Sequence, residues 1–209
     1  MKKNQLIALI GIIVIICAVI IAVVALRPSN KPAETSSGYD ENPTAWVEIA
    51  VKDYGVITAE LYGNAAPITV ANFLKLTDDG FYDGLTFHRI ISGFMIQGGD
   101  PNGNGTGGSS ERIKGEFSGN GVQNDIAHER GVLSMARSSA PDSASSQFFI
   151  MHAAAPHLAG QYAAFGRVLS GMEVVDAICA DTPVQDSNGT VLPANQPVIE
   201  YVKRIDKPE

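Results

Sequence analysis

The sequence predicts a mainly β domain, an antiparallel barrel or sandwich carrying two helices, held behind an apolar N-terminal span by a polar linker. Three observations predict it. Eight short runs rich in β-branched and aromatic residues are separated by glycine-rich connections, the pattern of a closed or two-layered antiparallel β architecture. Only two stretches carry helical patterning or helix-end signals. Leu6 to Leu26 is an uninterrupted uncharged run, about as long as the ~30 Å hydrocarbon core at 1.5 Å per residue.

The elements follow in order. Residues 1–5 are a short basic flank, and 6–26 are an anchor, longer than the roughly 7–15 apolar residues of a secretory signal. Lys2 and Lys3 before the span place the flank in the cytoplasm and the remainder outside. The protein is thus expected in the cell membrane as a single-pass protein with an extracytoplasmic domain. Cleavage near Val23-Val24-Ala25 is the alternative, and would leave it secreted. Residues 27–44 are rich in Pro, Ser, Asn and charge, with almost nothing to bury, and read as a linker. The domain is 45–209.

Within it, Trp46–Val51 and Gly55–Tyr62 flank Lys52-Asp53-Tyr54 as a hairpin. Ala66–Gly80 reads as a helix. Pro67 opens it, Val70, Phe73, Leu74 and Thr77 recur at helical spacing, and Gly80 follows its end. Six more strands are expected at Leu85–Ile91, Phe94–Gly99, Gly131–Ala136, Ser146–His152, Ala163–Leu169 and Val198–Ile205, with a second helix at Gly171–Ile178.

Composition bounds the function. Hydrophobic residues are 45% and charged residues 18%, a globular balance. The net charge of −7 argues against a nucleic-acid partner, which a basic patch would signal. Of the two cysteines, Cys17 lies in the apolar run, so Cys179 has no partner within the domain and reads as a small buried hydrophobe.

Several short patterns carry little. Gly103-Asn-Gly105-Thr-Gly107-Gly108 matches a dinucleotide fingerprint, but no helical stripe follows it, so it reads as a surface loop. Asn104-Gly-Thr106 and Asn188-Gly-Thr190 are glycosylation sequons only in a eukaryotic secretory setting. His152 and His157 lack the third ligand a zinc site needs. No nucleophile elbow occurs. What remains is Arg89 with the amides Gln97 and Gln147, set among Phe94, Met95, Ala136, Phe148, Phe149 and Leu158. These side chains suit a neutral, partly apolar ligand that accepts hydrogen bonds, or else the aromatic ones are ordinary core. Phe148 and Phe149 face opposite ways on a strand, so both are buried only if both faces are covered.

The segments FHRIISGFMIQGGDPNGNGTGG, GVLSMAR, SSQFFIMHAAAPHLAGQYAAFGRV and GMEVVDAI, in this order, resemble cyclophilin-type peptidyl-prolyl cis-trans isomerases over about Ala45 to Ile205. The resemblance implies an eight-stranded antiparallel barrel capped by two helices. It implies Arg89 as the catalytic residue, with Gln97 positioning it or the substrate carbonyl. It assigns His88, Phe94, Met95, Ala136, Arg137, Gln147, Phe149, His157, Leu158 and Tyr162 to the peptide-binding groove. No metal and no cofactor are implied. The expected partners are proline-containing peptides and unfolded protein segments, besides the membrane through residues 6–26, and the expected state is a monomer. Arg137-Ser138, His157 and Tyr162 depart from common family residues and bear on cyclosporin affinity more than on catalysis, while Ala159 replaces a common aspartate with little effect on the chemistry. A chaperone module that grips proline segments without catalysis is the alternative, and a tethered interaction domain using its acidic surface is a third reading.

Overall fold

The computed structural model describes residues 42–209, so the predicted span and residues 27–41 of the predicted linker lie outside the described residues. Among the described residues no helix is long and apolar enough to cross a membrane. Thr44, expected in the linker, is already tied to the sheet: its N–H donates to Leu61 O at 2.8 Å and its Oγ1 accepts from the Gly63 N–H at 3.0 Å.

The strands are β1 (Ala45–Val51), β2 (Gly55–Leu61), β3 (Phe87–Ile91), β4 (Met95–Gly98), β5 (Val132–Met135), β6 (Phe148–Met151), β7 (Ala164–Ser170) and β8 (Ile199–Ile205). The helices are α1 (Pro67–Asp78) and α2 (Met172–Asp181). All eight strands belong to one antiparallel sheet in the order β3-β4-β6-β5-β7-β2-β1-β8. A two-sheet sandwich is therefore ruled out. The sheet curls until its edge strands meet at one end, where Thr86 bridges Val198 and Phe87 N–H donates to Pro197 O at 3.0 Å.

The curl encloses an apolar core. From α1 come Val70, Phe73 and Leu74, and from α2 Val174, Val175 and Ile178. The Phe73 ring sits 5.1–5.4 Å from Tyr82, Phe148 and Phe165, distances at which aromatic pairs add to simple burial. A second cluster lies on the other face, where Met95, Phe149, Met151, Leu158 and Ala164 pack together. Adjacent residues on β6 therefore serve different bodies, Phe148 the interior and Phe149 the outer cluster. Every residue of β5 and β6 is buried, because both faces are covered and period-two alternation no longer separates inside from outside.

Two carboxylates organise irregular parts of the chain. Ala66 offers no side-chain cap to α1. Instead the buried Glu116 accepts from the Ile68 and Thr69 N–H groups at 3.0 and 2.7 Å and from Thr69 Oγ1 at 2.7 Å, placing negative charge where the helix dipole favours it. Asp100 does the same for the glycine-rich loop, accepting from the N–H groups of Asn102, Asn104 and Gly105 at 2.6–3.1 Å. Burial pushes its carboxyl up, but these donors and Gly107 N–H outweigh burial and hold it below the usual aspartate value. A Cβ on Gly107 would stand 2.1 Å from Asp100 Oδ1, so a side chain there would push the carboxylate off the loop it gathers. No α-helix lies between the loop and β5, only a single 3-10 turn at Ser118–Asn120.

Glu116→Ala strands two helix N–H groups and a hydroxyl. It is expected to lower stability by about 3 kcal/mol and the melting temperature by about 10 °C. Thermal and urea unfolding measure it, and a loss below about 1 kcal/mol speaks against the capping role.

Candidate functional site

The β3–β4 hairpin builds the polar side of the site. Its register sets Arg89 opposite Gln97 and Ile91 opposite Met95, with an irregularity between Phe87 and Arg89. Arg89 Nη1 donates to Gln97 Oε1 at 3.2 Å and lies 3.9 Å from Met95 Sδ. On its other edge, Arg89 Nε donates to Asn188 O at 2.8 Å and Nη2 to Asn188 Oδ1 at 3.2 Å. The chain continues past Gln97, whose Nε2 donates to Gln147 Oε1 at 2.9 Å, while Gln147 Nε2 donates to Gly107 O at 2.7 Å. Burial pushes the Arg89 pKa down, with Tyr162 and Asp186 opposing it, and an arginine so shifted stays protonated at neutral pH.

The apolar side comes from β4, β6 and the short turn Pro156–Leu158. Together they enclose an open groove of about 500 Å³ lined by Arg89, Phe94, Met95, Gln97, Ala136, Arg137, Phe149, His157, Leu158, Gln161 and Tyr162. Met95, Phe149 and Leu158 are buried in its floor. His157 stacks on Phe94 at 5.9 Å, and Tyr162 meets Phe149 edge-on at 5.9 Å. Arg137 forms part of the wall. Its guanidinium lies over the Tyr162 and Phe117 rings at 4.8 and 5.1 Å and donates to Gln161 O and Ser138 O. A larger concavity of about 880 Å³ beside Trp46 is lined by Glu48, Glu60 and the C-terminal residues, away from this network.

Ten of the twelve residues expected at the site line this groove. Gln147 lines an adjoining depression of about 270 Å³ together with Gln97, Gly107 and Arg137. His88 does not line the groove, contrary to expectation. It precedes Arg89 on β3 and so faces the other way. It is buried, with neither ring nitrogen hydrogen-bonded among the described residues, beside a depression of about 470 Å³ that also holds Gly105, Asn188 and Thr190. Burial pushes its pKa down, with Asp100 opposing.

Three contributors escaped the sequence reading. Gln161 adds to the rim. Asn188 is 99 positions from Arg89 and stood out only as part of a sequon. His128 backs the floor: its ring stacks on Phe149 at 6.1 Å, and its Nε2 lies 2.9 Å from Ser134 Oγ on β5. No local pattern marks any of the three. Among the described residues no group of His, Cys, Asp and Glu is placed to hold a metal. Cys179 is partly buried against the core, and burial pushes its thiol up to about 11.

The family profile described as cyclophilin type peptidyl-prolyl cis-trans isomerase/CLD matches residues 46–203. The chain belongs to the cyclophilin family. Peptidyl-prolyl cis-trans isomerase B of Bacillus subtilis is 54% identical over 123 residues, covering 59% of this chain and 82% of that one. A peptidyl-prolyl cis-trans isomerase of Helicobacter pylori is 42% identical over 152 residues, covering 71% and 90%. A solved cyclophilin type isomerase of Cryptosporidium parvum, crystallised in the presence of the dipeptide Ala-Pro, superposes with a TM-score of 0.68 at 32% identity over 78% of this chain and 99% of its own. The curled sheet with two helices is thus the cyclophilin fold.

Within this cyclophilin domain His128 also links folding to pH. Burial, with His157 nearby, pushes its pKa from 6.5 down to about 4. The unfolded chain therefore takes up a proton between about pH 6.5 and 4 that the folded one resists, and stability falls as pH falls through that window. The loss at pH 4 amounts to about 3 kcal/mol. Urea unfolding between pH 4 and 7 should show this slope in the wild type and a flatter one in His128→Gln. Equal slopes in the two would remove His128 as its source.

Proposed function

We propose that the domain catalyses rotation about X-Pro bonds by docking the prolyl ring in the apolar groove and presenting the Arg89 guanidinium to the imide nitrogen. The observation that carries this reading is Arg89, hydrogen-bonded to Asn188 and Gln97, lining a groove floored by Met95, Phe149 and Leu158. Membership of an isomerase family and the likeness to a cyclophilin crystallised with Ala-Pro support it.

The reaction breaks no σ bond. Its barrier, about 18–20 kcal/mol, comes from nitrogen lone-pair density shared with the carbonyl, and uncatalysed exchange takes tens to hundreds of seconds. As the bond twists, the lone pair returns to nitrogen, which becomes a hydrogen-bond acceptor. A donor waiting at that point is engaged in the twisted state and idle in either planar one, so it stabilises the transition state selectively. Arginine suits the task because its charge is permanent and its donors are fixed in a plane. Gln97 accepts from Nη1 and is itself held by Gln147, so the donor is set before substrate arrives, without reorganisation during the reaction. Phe94, Met95, Phe149 and Leu158 hold the ring by apolar burial, while Ala136, Arg137, His157 and Tyr162 contact the flanking residues.

The clients we infer are proline-containing segments of exported or surface proteins, met by a monomeric domain tethered outside the membrane through residues 6–26. The uncharged run and its basic flank support this placement. Protease added to intact cells should digest the domain while a cytoplasmic marker survives; protection of the domain in intact cells with digestion only after lysis would contradict it.

Arg89→Ala in the full chain is expected to lower kcat/KM for a proline tetrapeptide at least tenfold, about 1.4 kcal/mol of transition-state stabilisation, with the fold intact. Protease-free exchange spectroscopy measures it. A folded Arg89→Ala protein exchanging at the wild-type rate would refute the role. Peptide binding by the wild type without any exchange would point instead to a chaperone module.

A further inference from the structure

The donor geometry of Arg89 is decided less by its hairpin partner than by a turn far along the chain. We propose that Asn188 is a positioning residue for this site, clamping one edge of the Arg89 guanidinium so that its remaining donors face the groove. The inference rests on the catalytic reading of Arg89 given above.

Two adjacent N–H groups on that edge, Nε and Nη2, are received by two oxygens of one residue, Asn188 O at 2.8 Å and Oδ1 at 3.2 Å. Gln97 meets the guanidinium at Nη1 only, at 3.2 Å. One contact of that kind leaves the head group free to swing about it, whereas the two-point fork fixes a plane, as bidentate recognition of guanidinium does elsewhere. The same turn grips the backbone on both sides of Arg89. Ile90 N–H donates to Gly189 O at 2.8 Å, and Val191 N–H donates to His88 O at 3.0 Å. Gly189 comes so close to β3 that a Cβ there would stand 2.2 Å from Ile90 O. Main chain and head group are thus referenced to one rigid piece.

That piece does not need the Asn188 side chain to form. Asp186 Oδ1 accepts from Thr190 N–H at 3.1 Å, Gly189 N–H donates to Asp186 O at 3.0 Å, and Gln185 N–H donates to Thr190 O at 2.8 Å. Asn188 lies outside the lining of the apolar groove and borders the depression behind Arg89. Its amide is also neutral, so it fixes the guanidinium without cancelling the charge. Loss of the side chain therefore predicts a slower turnover with unchanged peptide affinity, the pattern of an interaction realised in the transition state.

The test is a double-mutant cycle on the full chain, with kcat and KM for a proline tetrapeptide read by exchange spectroscopy. Asn188→Ala is expected to lower kcat about tenfold with KM within about twofold, on the scale of a displaced catalytic group. In the Arg89→Ala background the same change is expected to do nothing further, because the residue acts through Arg89. Guanidinium nitrogen NMR supplies a second readout. Arg89 should show slowly rotating Nη2 signals in the wild type and in Asn188→Asp, which keeps an oxygen at that point, and faster Nη2 rotation in Asn188→Ala, where the main-chain oxygen of residue 188 still receives Nε but Nη2 has lost its acceptor. Wild-type kcat in Asn188→Ala, an equal loss in the Arg89→Ala background, or unchanged Nη2 rotation in Asn188→Ala overturns the clamp. A neutral Arg89→Ala overturns the catalytic reading itself, and the clamp with it; a slow Arg89→Ala beside a neutral Asn188→Ala overturns the clamp alone.

Discussion

A hydrogen-bonded ladder runs from Asn188 through Arg89, Gln97 and Gln147 to the carbonyl of Gly107, and the rest of the site is arranged around it. The rungs come from the β3–β4 hairpin, the residue before β6 and two loops, and each side chain is hydrogen-bonded to the next. The ladder solves the problem set by a cation in an apolar run. A half-buried guanidinium would be costly without partners, yet a full complement of acceptors, or a carboxylate, would leave nothing to offer a substrate. Neutral acceptors on two sides satisfy part of its donors and leave the charge intact.

The ladder in turn depends on a sheet buried on both faces. Phe148 fills the interior while Phe149, its neighbour, floors the groove outside. The groove is therefore a second, smaller apolar body laid against the outer surface of the core-bearing sheet. Its floor rests on the buried residues of the sheet, and interiors pack at crystal-like density. His128 and Ser134 lie behind Phe149 as a buried polar pair, so the floor is polar-bonded from behind and apolar in front.

The two arginines of the groove show how environment divides one chemistry into two roles. Arg137 lies over two rings and gives its donors to backbone carbonyls; it is a wall, its polar capacity largely spoken for. Arg89 is held at its edges by side-chain and main-chain oxygens around an open cleft. Carboxylates take the architectural work instead. Glu116 caps α1 and Asp100 gathers the glycine-rich loop that ends at Gly107, which is how a segment resembling a nucleotide loop comes to anchor the ladder.

Much of this was legible in the residues themselves. Short β-branched runs located all eight strands, Pro67 and Gly80 bracketed the first helix, and adjacent phenylalanines on β6 required a sheet covered on both sides. The family resemblance of the motifs pointed to the ten residues that line the groove. The exceptions lie where local rules stop. The resemblance implies His88 in the groove, but successive strand residues point opposite ways, and His88 is buried beside the neighbouring depression. Asn188 and His128 carry no local signature, since what gives them a role is proximity across the curled sheet. Sequence determines what each segment of this chain is, through periodicity, turn chemistry and apolar content acting over a few residues. Only the tertiary structure decides which groups meet, because curling the sheet brings together groups as remote in sequence as Arg89 and Asn188, 99 positions apart, and no short-range preference encodes that distance.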